Sequence, residues 1–389
     1  MGNEKNPLVK TDWLANFTLI GKPKLNDFTF KIDQHSEKSD WIYNSMNLGI
    51  DCGPEHGTVY AELMGGYASE RENKIYAHGK KDNGADDYSL KMEIAWDDRD
   101  DESILEQIGD RCFVTVGLEK TDKGKTYYKK FLSAYDAIAY VQECLTDDMV
   151  VNVKGNLQYS TYNDKTQIRK TITSIVLSSV DDPANYQARF IQSVLIDKDS
   201  ASLKDVDKDK GVMYVNTHVL DYLKEYNGVD VKGNFPYPVQ FEFAMDFTKP
   251  EQCKKIADKL FKVKKGITQI TFDGEFIESG ATVTTTMDDV PQEVKELVDM
   301  GLYTEEEALA SCSTNGNRER RMVLKKPFIK KVGDEEKVPV VQIFPEKFTE
   351  DDLILDCMLG KNDDMYDDTI EVAEIKSDDD SMAWLDDLE

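Results

Sequence analysis

Runs of β-branched and aromatic residues bounded by Gly, Asn and Asp recur along the first third of the chain: FTLIGK from Phe17, GTVYAELM around Tyr60, YSLKMEIAW ending at Trp96, and RCFVTVGLEK from Arg111. Such runs predict strands. From Lys125 the order becomes a strand (KTYYKKFLSA), a short amphipathic helix (YDAIAYVQECL), a strand (MVVNVKGNLQYSTY), the turn NDK, and a strand (TQIRKTITSIVLSS). In the helix, Ile138, Val141 and Leu145 fall at helical spacing. In the last strand Ile168, Ile172 and Val176 share one parity with Ser174, which predicts a single buried face.

Strand, helix, strand and hairpin make the second half of an OB fold, a partly open five-stranded Greek-key barrel whose helix plugs one end between strands three and four. The order recurs after the linker VDDPANY (180–186), with FIQSVLID, GVMYVNTHVL, PVQFEFAMDF, a helix PEQCKKIADKLF and a strand GITQITFDGEFIES. VKGNL at 153–157 and FDGEF at 272–276 occupy equivalent places, each with a glycine inside a strand, where it marks a bend or bulge at a barrel corner. Between Asp288 and Ser311 the texture turns helical. Val294, Leu297 and Val298 form one stripe, Gly301 ends that helix, and Thr304 with Glu307 forms a capping box for a second. The chain leaves through CSTNGNRERRMVLKKPFIKKV, and strands resume at VPVVQIF and LILDCML. The expected fold is mainly β, with tandem OB-fold-like Greek-key barrels, a helical insertion and a disordered acidic C-terminal tail. Its units are 1–180, 185–360 with the helical hairpin at about 288–312, and the tail 361–389.

With 40% hydrophobic residues in 389, the chain can bury two cores. A net charge of −27 repels nucleic-acid phosphates, so any cationic surface must be local. The acid is concentrated at the end, where 12 acidic residues from Asn362 onward face Lys376 alone. Six cysteines without a CxxC pair, and four histidines, suggest neither a zinc site nor a disulfide framework, and no cofactor is expected. There is no apolar signal region at the start and no run near the roughly 20 apolar residues of a membrane span, so the expected setting is a reducing cytoplasm.

Candidate catalytic signals fail on spacing or context. GKT at 124–126 follows Gly117 by six residues instead of four and lies between two strands, so a hairpin turn is expected there. Asp368, Glu374 and Lys376 could imitate a nuclease's carboxylates and lysine, but they lie in the acidic tail. WDDRDDE at 96–102 reads as an exposed turn, and no Ser/His/Asp or Cys/His arrangement is legible. A single-strand binding surface asks instead for cations along a backbone, interleaved with flat rings. Three stretches offer this. The first is Lys125, Tyr127, Tyr128, Lys129, Lys130 and Phe131, and the second is Lys154, Tyr159, Tyr162, Lys165, Arg169 and Lys170. The third follows the helical insertion, with Arg318, Arg320, Arg321, Lys325, Lys326, Lys330 and Lys331. Aromatic residues in strands are more often core than platform, and Tyr159 and Tyr162 differ in parity, so a regular strand cannot point both outward.

Two predicted OB barrels, the stretch KGNLQYSTYNDKTQIRKTITSIVLS and an acidic tail ending in WLDDLE resemble bacteriophage single-stranded DNA-binding proteins. The resemblance covers roughly residues 111–179 and the last 28. It implies a protein without catalytic activity that coats and protects exposed single strands, with little sequence preference, during phage replication, recombination and repair. It also implies a tail that competes with DNA and recruits replication or recombination proteins, in the host cytoplasm, with oligomers allowed. In that reading Asp378, Asp379, Asp380, Asp386 and Asp387 mimic phosphates, and Trp384, Leu385 and Leu388 anchor a partner. The second barrel, its insertion and the acidic body depart from the pattern. They keep two other classes open, an acidic interaction or DNA-mimic protein and a metal-dependent DNA-processing enzyme.

Overall fold

A computed structural model describes residue 8 and residues 11–163, 165–279, 292–300, 304, 319–333 and 337–358. The second helix expected near Thr304, Arg318 and the whole acidic tail from 361 lie outside the described residues. Among the described residues no helix is long and apolar enough to cross a membrane.

The first half contains β1 (Ala15–Lys24), β2 (Phe30–His35), β3 (Trp41–Asp51) and β4 (Thr58–Ala68). An inserted segment follows, with β5 (Lys74–Lys80), β6 (Asp86–Ala95), α1 (Glu102–Leu105), β7 (Val114–Lys120) and β8 (Thr126–Phe131), and then α2 (Ala134–Cys144), β9 (Val151–Tyr162) and β10 (Lys165–Leu177). Strands β1, β3, β4, β10 and β9 form a ring. All contacts in it are antiparallel except β4 with β10, which is the pairing order of an OB barrel. Helix α2 enters between the third and fourth ring strands and buries Ala137, Ile138 and Val141. The expected barrel half is therefore present, but its third strand is β4. The KTYYKKF strand is β8, which among the described residues pairs with β7 alone at the sheet edge, while β7 extends the parallel contact with β10. The inserted segment has a small core of its own around Ile94, Ile108 and Phe113.

The second half repeats the plan with β11 (Gln187–Ile196), β12 (Ala201–Asp207), β13 (Val212–Tyr226), β14 (Val229–Ala244), α3 (Pro250–Ile256), β15 (Ile267–Ser279), α4 (Gln292–Asp299) and β16 (Glu319–Pro327). Strands β11, β13, β14, β16 and β15 close a second ring, again with one parallel contact, β14 to β16. The chain ends with β17 (Ile329–Val332), β18 (Val338–Val341) and β19 (Ile343–Phe348). The fold is mainly β, with two OB-like barrels in tandem.

The barrels join through their first strands. β1 and β11 pair antiparallel, centred on Phe17 opposite Phe190, and each then turns to close its own ring. Gly155 lies opposite Phe17 and Gly274 opposite Phe190. A Cβ at Gly155 would lie 2.6 Å from the Phe17 ring, and one at Gly274 would lie 2.3 Å from the Phe190 ring, so neither position has room for a side chain. These are the glycines of VKGNL and FDGEF, each facing the phenylalanine of its own barrel's first strand.

Two sequence expectations are corrected. A bulge between Ile172 and Ser174 reverses the parity of β10, so Ile175 enters the core instead of Ser174 and Val176. The second barrel carries the same irregularity between Asp273 and Gly274, where β16 has the extra residue. LILDCML is not a strand over its described residues, 353–358. These contribute to short 3-10 turns, and Leu353 and Leu355 pack against a cluster containing Leu8, Leu195, Leu220 and Phe348.

Candidate nucleic-acid interface

The second and third strands of an OB barrel present its open face. In the first barrel these are β3 and β4. Burial of Met46, Leu48, Ile50, Val59, Ala61 and Leu63 sends Tyr43, Ser45, Asn47, Tyr60, Glu62 and Met64 to the outer side. Ser45 lies opposite Met64 and Asn47 opposite Glu62. The turn before β2 adds Phe28, because the Asn26 side chain accepts the Phe28 N–H at 2.9 Å and Thr29 Oγ1 accepts the Asn26 N–H at 2.9 Å. That geometry leaves Phe28 70% exposed. Lys31 and Arg169 complete a groove of about 710 Å³, part of it open to solvent. The rings of Phe28 and Tyr43 and the thioether of Met64 thus share the groove with cations at Lys31 and Arg169.

Glu62 is the opposing charge in the groove. It pairs with Arg169 Nε at 3.0 Å. Burial pushes its carboxyl above the ordinary value, while Arg169 and Lys170 act in the opposite sense without cancelling the rise. As pH falls through that raised value, Glu62 takes up a proton and a charge that repels phosphate disappears. Oligonucleotide binding is therefore expected to strengthen about threefold to tenfold on acidification, roughly 1 kcal/mol, the scale of one charge at about 4 Å screened as in water. E62Q should hold the tighter binding at every pH. Titration of both forms from pH 5 to 8 checks this, and an equal pH dependence in E62Q would remove Glu62 from the groove's electrostatics.

The corresponding face of the second barrel differs. Tyr214, Asn216 and His218 lie opposite Glu242, Gln240 and Pro238. Asp197 and Asp199 border this face, and the Thr166 hydroxyl donates to the Pro238 carbonyl at 2.8 Å. Burial lowers His218 below the ordinary imidazole value. The Arg169–Glu62 pair nevertheless has its counterpart in Arg321–Glu242 at 2.6 Å, each arginine two residues before the position where its strand meets the parallel partner.

The residues singled out in the sequence separate into distinct environments. On β8, Tyr127 and Tyr128 are 50% and 59% exposed, and Lys125 is exposed beside them in a hairpin turn at Gly124, as expected for GKT. Lys129 lies over the rings of Tyr140 (4.6 Å) and half-buried Phe131 (5.1 Å), while Lys130 pairs with Asp110 at 2.9 Å. Lys154, Tyr162 and Lys165 are exposed. Tyr159 is a core residue, its hydroxyl donating to Gln192 at 2.8 Å, so it offers no stacking face. Lys170 is mostly buried and bonds Glu278 of the second barrel at 2.9 Å, which makes it a link between barrels. Arg320 and Lys326 are exposed, 4.0 Å from Glu278 and Asp273 respectively, and Lys325 pairs with Glu275 at 3.0 Å. Lys330 pairs with Asp12 at 2.9 Å, and Lys331 is exposed. Of all these, Arg169 alone lines the β3–β4 groove. WDDRDDE is also less open than expected, since Arg99 forms a two-pronged bond to Asp136 and lies 4.4 Å over the Trp96 ring.

Phe28, Lys31, Tyr43 and Met64 were not legible as site residues. The alternation of Met46, Leu48 and Ile50 was available to mark β3, but nothing local distinguishes an outward Phe28 from a core one.

Two crystal structures of the single-stranded DNA-binding protein from Thermus aquaticus align with the chain. The wild type does so at 9% identity with a TM-score of 0.30, over 69% of this chain and 87% of that one. A deletion mutant does so at 10% identity with a TM-score of 0.29, over 69% and 88%. Likeness at that level carries no argument about activity. No curated protein matches the sequence. The family model described as YorF matches residues 89–301, more than half of the chain, and the chain therefore belongs to the YorF family.

Proposed function

We propose that the chain is a non-catalytic single-stranded DNA-binding protein that coats exposed strands with little sequence preference. The observation that carries this reading is the β3–β4 groove, where Phe28, Tyr43 and Met64 stand among Lys31 and Arg169 on the open face of an OB-like barrel. Tyr127 and Tyr128 with Lys125 on the β7–β8 hairpin offer a second stretch of rings and charge along the same half of the molecule. In this reading residues 1–180 form the principal binding unit and 185–360 a second, and the tail 361–389 competes with DNA for the basic groove and recruits replication or recombination proteins. The setting is phage DNA replication, recombination and repair in a host cytoplasm. The acidic body favours binding through focused local fields, which makes affinity steeply salt-dependent as phosphate contacts release counterions.

Fluorescence titration with a labelled single strand and its duplex at low and moderate salt tests the reading. The expected result is tight, salt-sensitive binding to single strands of any sequence, strengthened severalfold by deletion of 362–389. Absence of binding by both the full chain and the tail-less form would overturn it, and unchanged affinity on deletion would remove the competition by the tail.

A further inference from the structure

The helices that plug the two barrels differ in what covers them. Over the outer side of α2 packs the inserted segment: Arg99 grips Asp136 with two hydrogen bonds, the Trp96 and Tyr135 rings are 6.1 Å apart, and Phe131 lies 5.2 Å from Tyr140. The second barrel has residues 245–249 where the first has 69–133, so nothing equivalent is inserted there. Helix α3 and the π-helical turn Ala257–Phe261 that continues it bury Cys253 and Phe261, the latter 5.0 Å from the Phe243 ring. Ile256 and Leu260, four residues apart, are only half-buried and face a groove of about 1010 Å³, part of it open to solvent. Its other wall is Ile343 with Ile329 and Val341, a cross-strand pair of the β17–β18 hairpin that is 55% and 47% exposed.

This aliphatic groove has a basic rim. Lys255 and Lys259 line it, and neither forms an ion pair among the described residues. From Lys254 to Lys265 six lysines face one acid, Asp258, which pairs with Lys262 at 3.5 Å. In a chain of net charge −27, so concentrated a positive field suits an acidic occupant. The groove shares no residue with the β3–β4 groove and has no aromatic ring in its lining, so bases have nothing to stack on. An occupant of matching chemistry lies on the same chain. DDDSMAWLDDLE, 378–389, sets six acids around Trp384, Leu385 and Leu388, whose spacing of one and then three residues puts them on one face of a helical turn. From Met358, Trp384 is within a chain length of at most about 90 Å, so any part of the second barrel is in reach. A tethered segment meets such a groove at an effective concentration of about millimolar, and a weak contact suffices.

We propose that residues 378–389 dock on their own chain in the groove between α3 and the β17–β18 hairpin. Trp384 and Leu385 lie against Ile256, Leu260 and Ile329, and the flanking carboxylates meet Lys255 and Lys259. This resting place is apart from the β3–β4 groove for which, in the proposed function, the tail competes with DNA. A tail held there neither repels a strand nor presents Trp384 to a partner, so the groove sets how much of the tail is free. Docking needs no DNA and stands or falls separately from strand binding.

Zero-length carbodiimide cross-linking of the full chain without DNA tests the proposal, read by mass spectrometry on an equal mixture of isotope-labelled and unlabelled protein. The expected products join Lys255 or Lys259 to Asp386, Asp387 or Glu389, within one isotope only. W384A leaves every charge in place and should lower their yield about tenfold, the scale of losing one aromatic anchor. I329T, at an exposed position, should lower it severalfold. The Lys325–Glu275 pair at 3.0 Å gives an internal reference, and its constant cross-link reports that the second barrel keeps its fold. An unchanged yield in either variant would reduce the contact to unspecific attraction of opposite charges and overturn the proposal. Products of mixed isotope would make the occupant a second copy, and tail carboxylates joined only to other lysines would place the tail elsewhere; either result overturns it as well.

Discussion

Replacing Phe28 with alanine is expected to weaken binding to single strands by roughly 5-fold to 100-fold. Stacking of a base on an aromatic side chain is worth about 1–3 kcal/mol by alanine substitution, and every 1.4 kcal/mol is tenfold in affinity. The fold should tolerate the change, because Phe28 is 70% exposed and its turn is held by Asn26 and Thr29, neither of which the substitution touches. F28W should retain binding and add a quenchable emitter. The same oligonucleotide titration reads both variants. Wild-type affinity in F28A would exclude the β3–β4 face as the place where bases stack and shift attention to Tyr127 and Tyr128.

The second large effect concerns stability. Glu278 of β15 is 3% exposed, and its Oε1 accepts from Lys170 of β10 at 2.9 Å. Its Oε2 has no hydrogen bond, and Arg320 approaches it only to 4.0 Å. Lys170 also stands 4.9 Å over the Phe276 ring. K170M would leave a carboxylate buried between the barrels without its close partner, which costs about 3–5 kcal/mol in comparable cases. The double substitution K170M/E278Q removes the charge as well and should recover most of the loss. Urea unfolding of the wild type, the single and the double variant measures this. A loss below about 1 kcal/mol in K170M would show that Arg320 and solvent compensate for Lys170, the outcome usual for exposed pairs.

The barrels were legible where local pattern and tertiary role agree. Ile138, Val141 and Leu145 are all buried where helical spacing placed them, and the glycines of VKGNL and FDGEF do occupy matching corners. Legibility failed where the deciding contact is distant in sequence. KTYYKKF reads as a ring strand because a helix follows it, yet β4 holds that place, and the inserted residues between them carry no mark of being an insertion. The bulge at Thr173 is set by pairing with β9, so a strict count of alternate residues assigned Val176 to the core in place of Ile175. For the groove, charge alone was a poor guide. Lys129, Lys130, Lys170 and Lys325 all looked available, and each is engaged by a ring or a carboxylate.

The pairing of β1 with β11 has a consequence beyond holding two barrels together. When two identical subunits meet about a symmetry axis, every side chain appears twice, and a change on one open face is forced on the other. Here both partners belong to one chain, so their meeting is unimolecular and does not depend on protein concentration, and each face can carry its own residues. The result is visible in the contrast between Phe28, Tyr43 and Lys31 on one barrel and Asp197, Asp199 and Gln240 on the other. One scaffold thus keeps the mutual support of a dimer while presenting a single polarised face to whatever it binds.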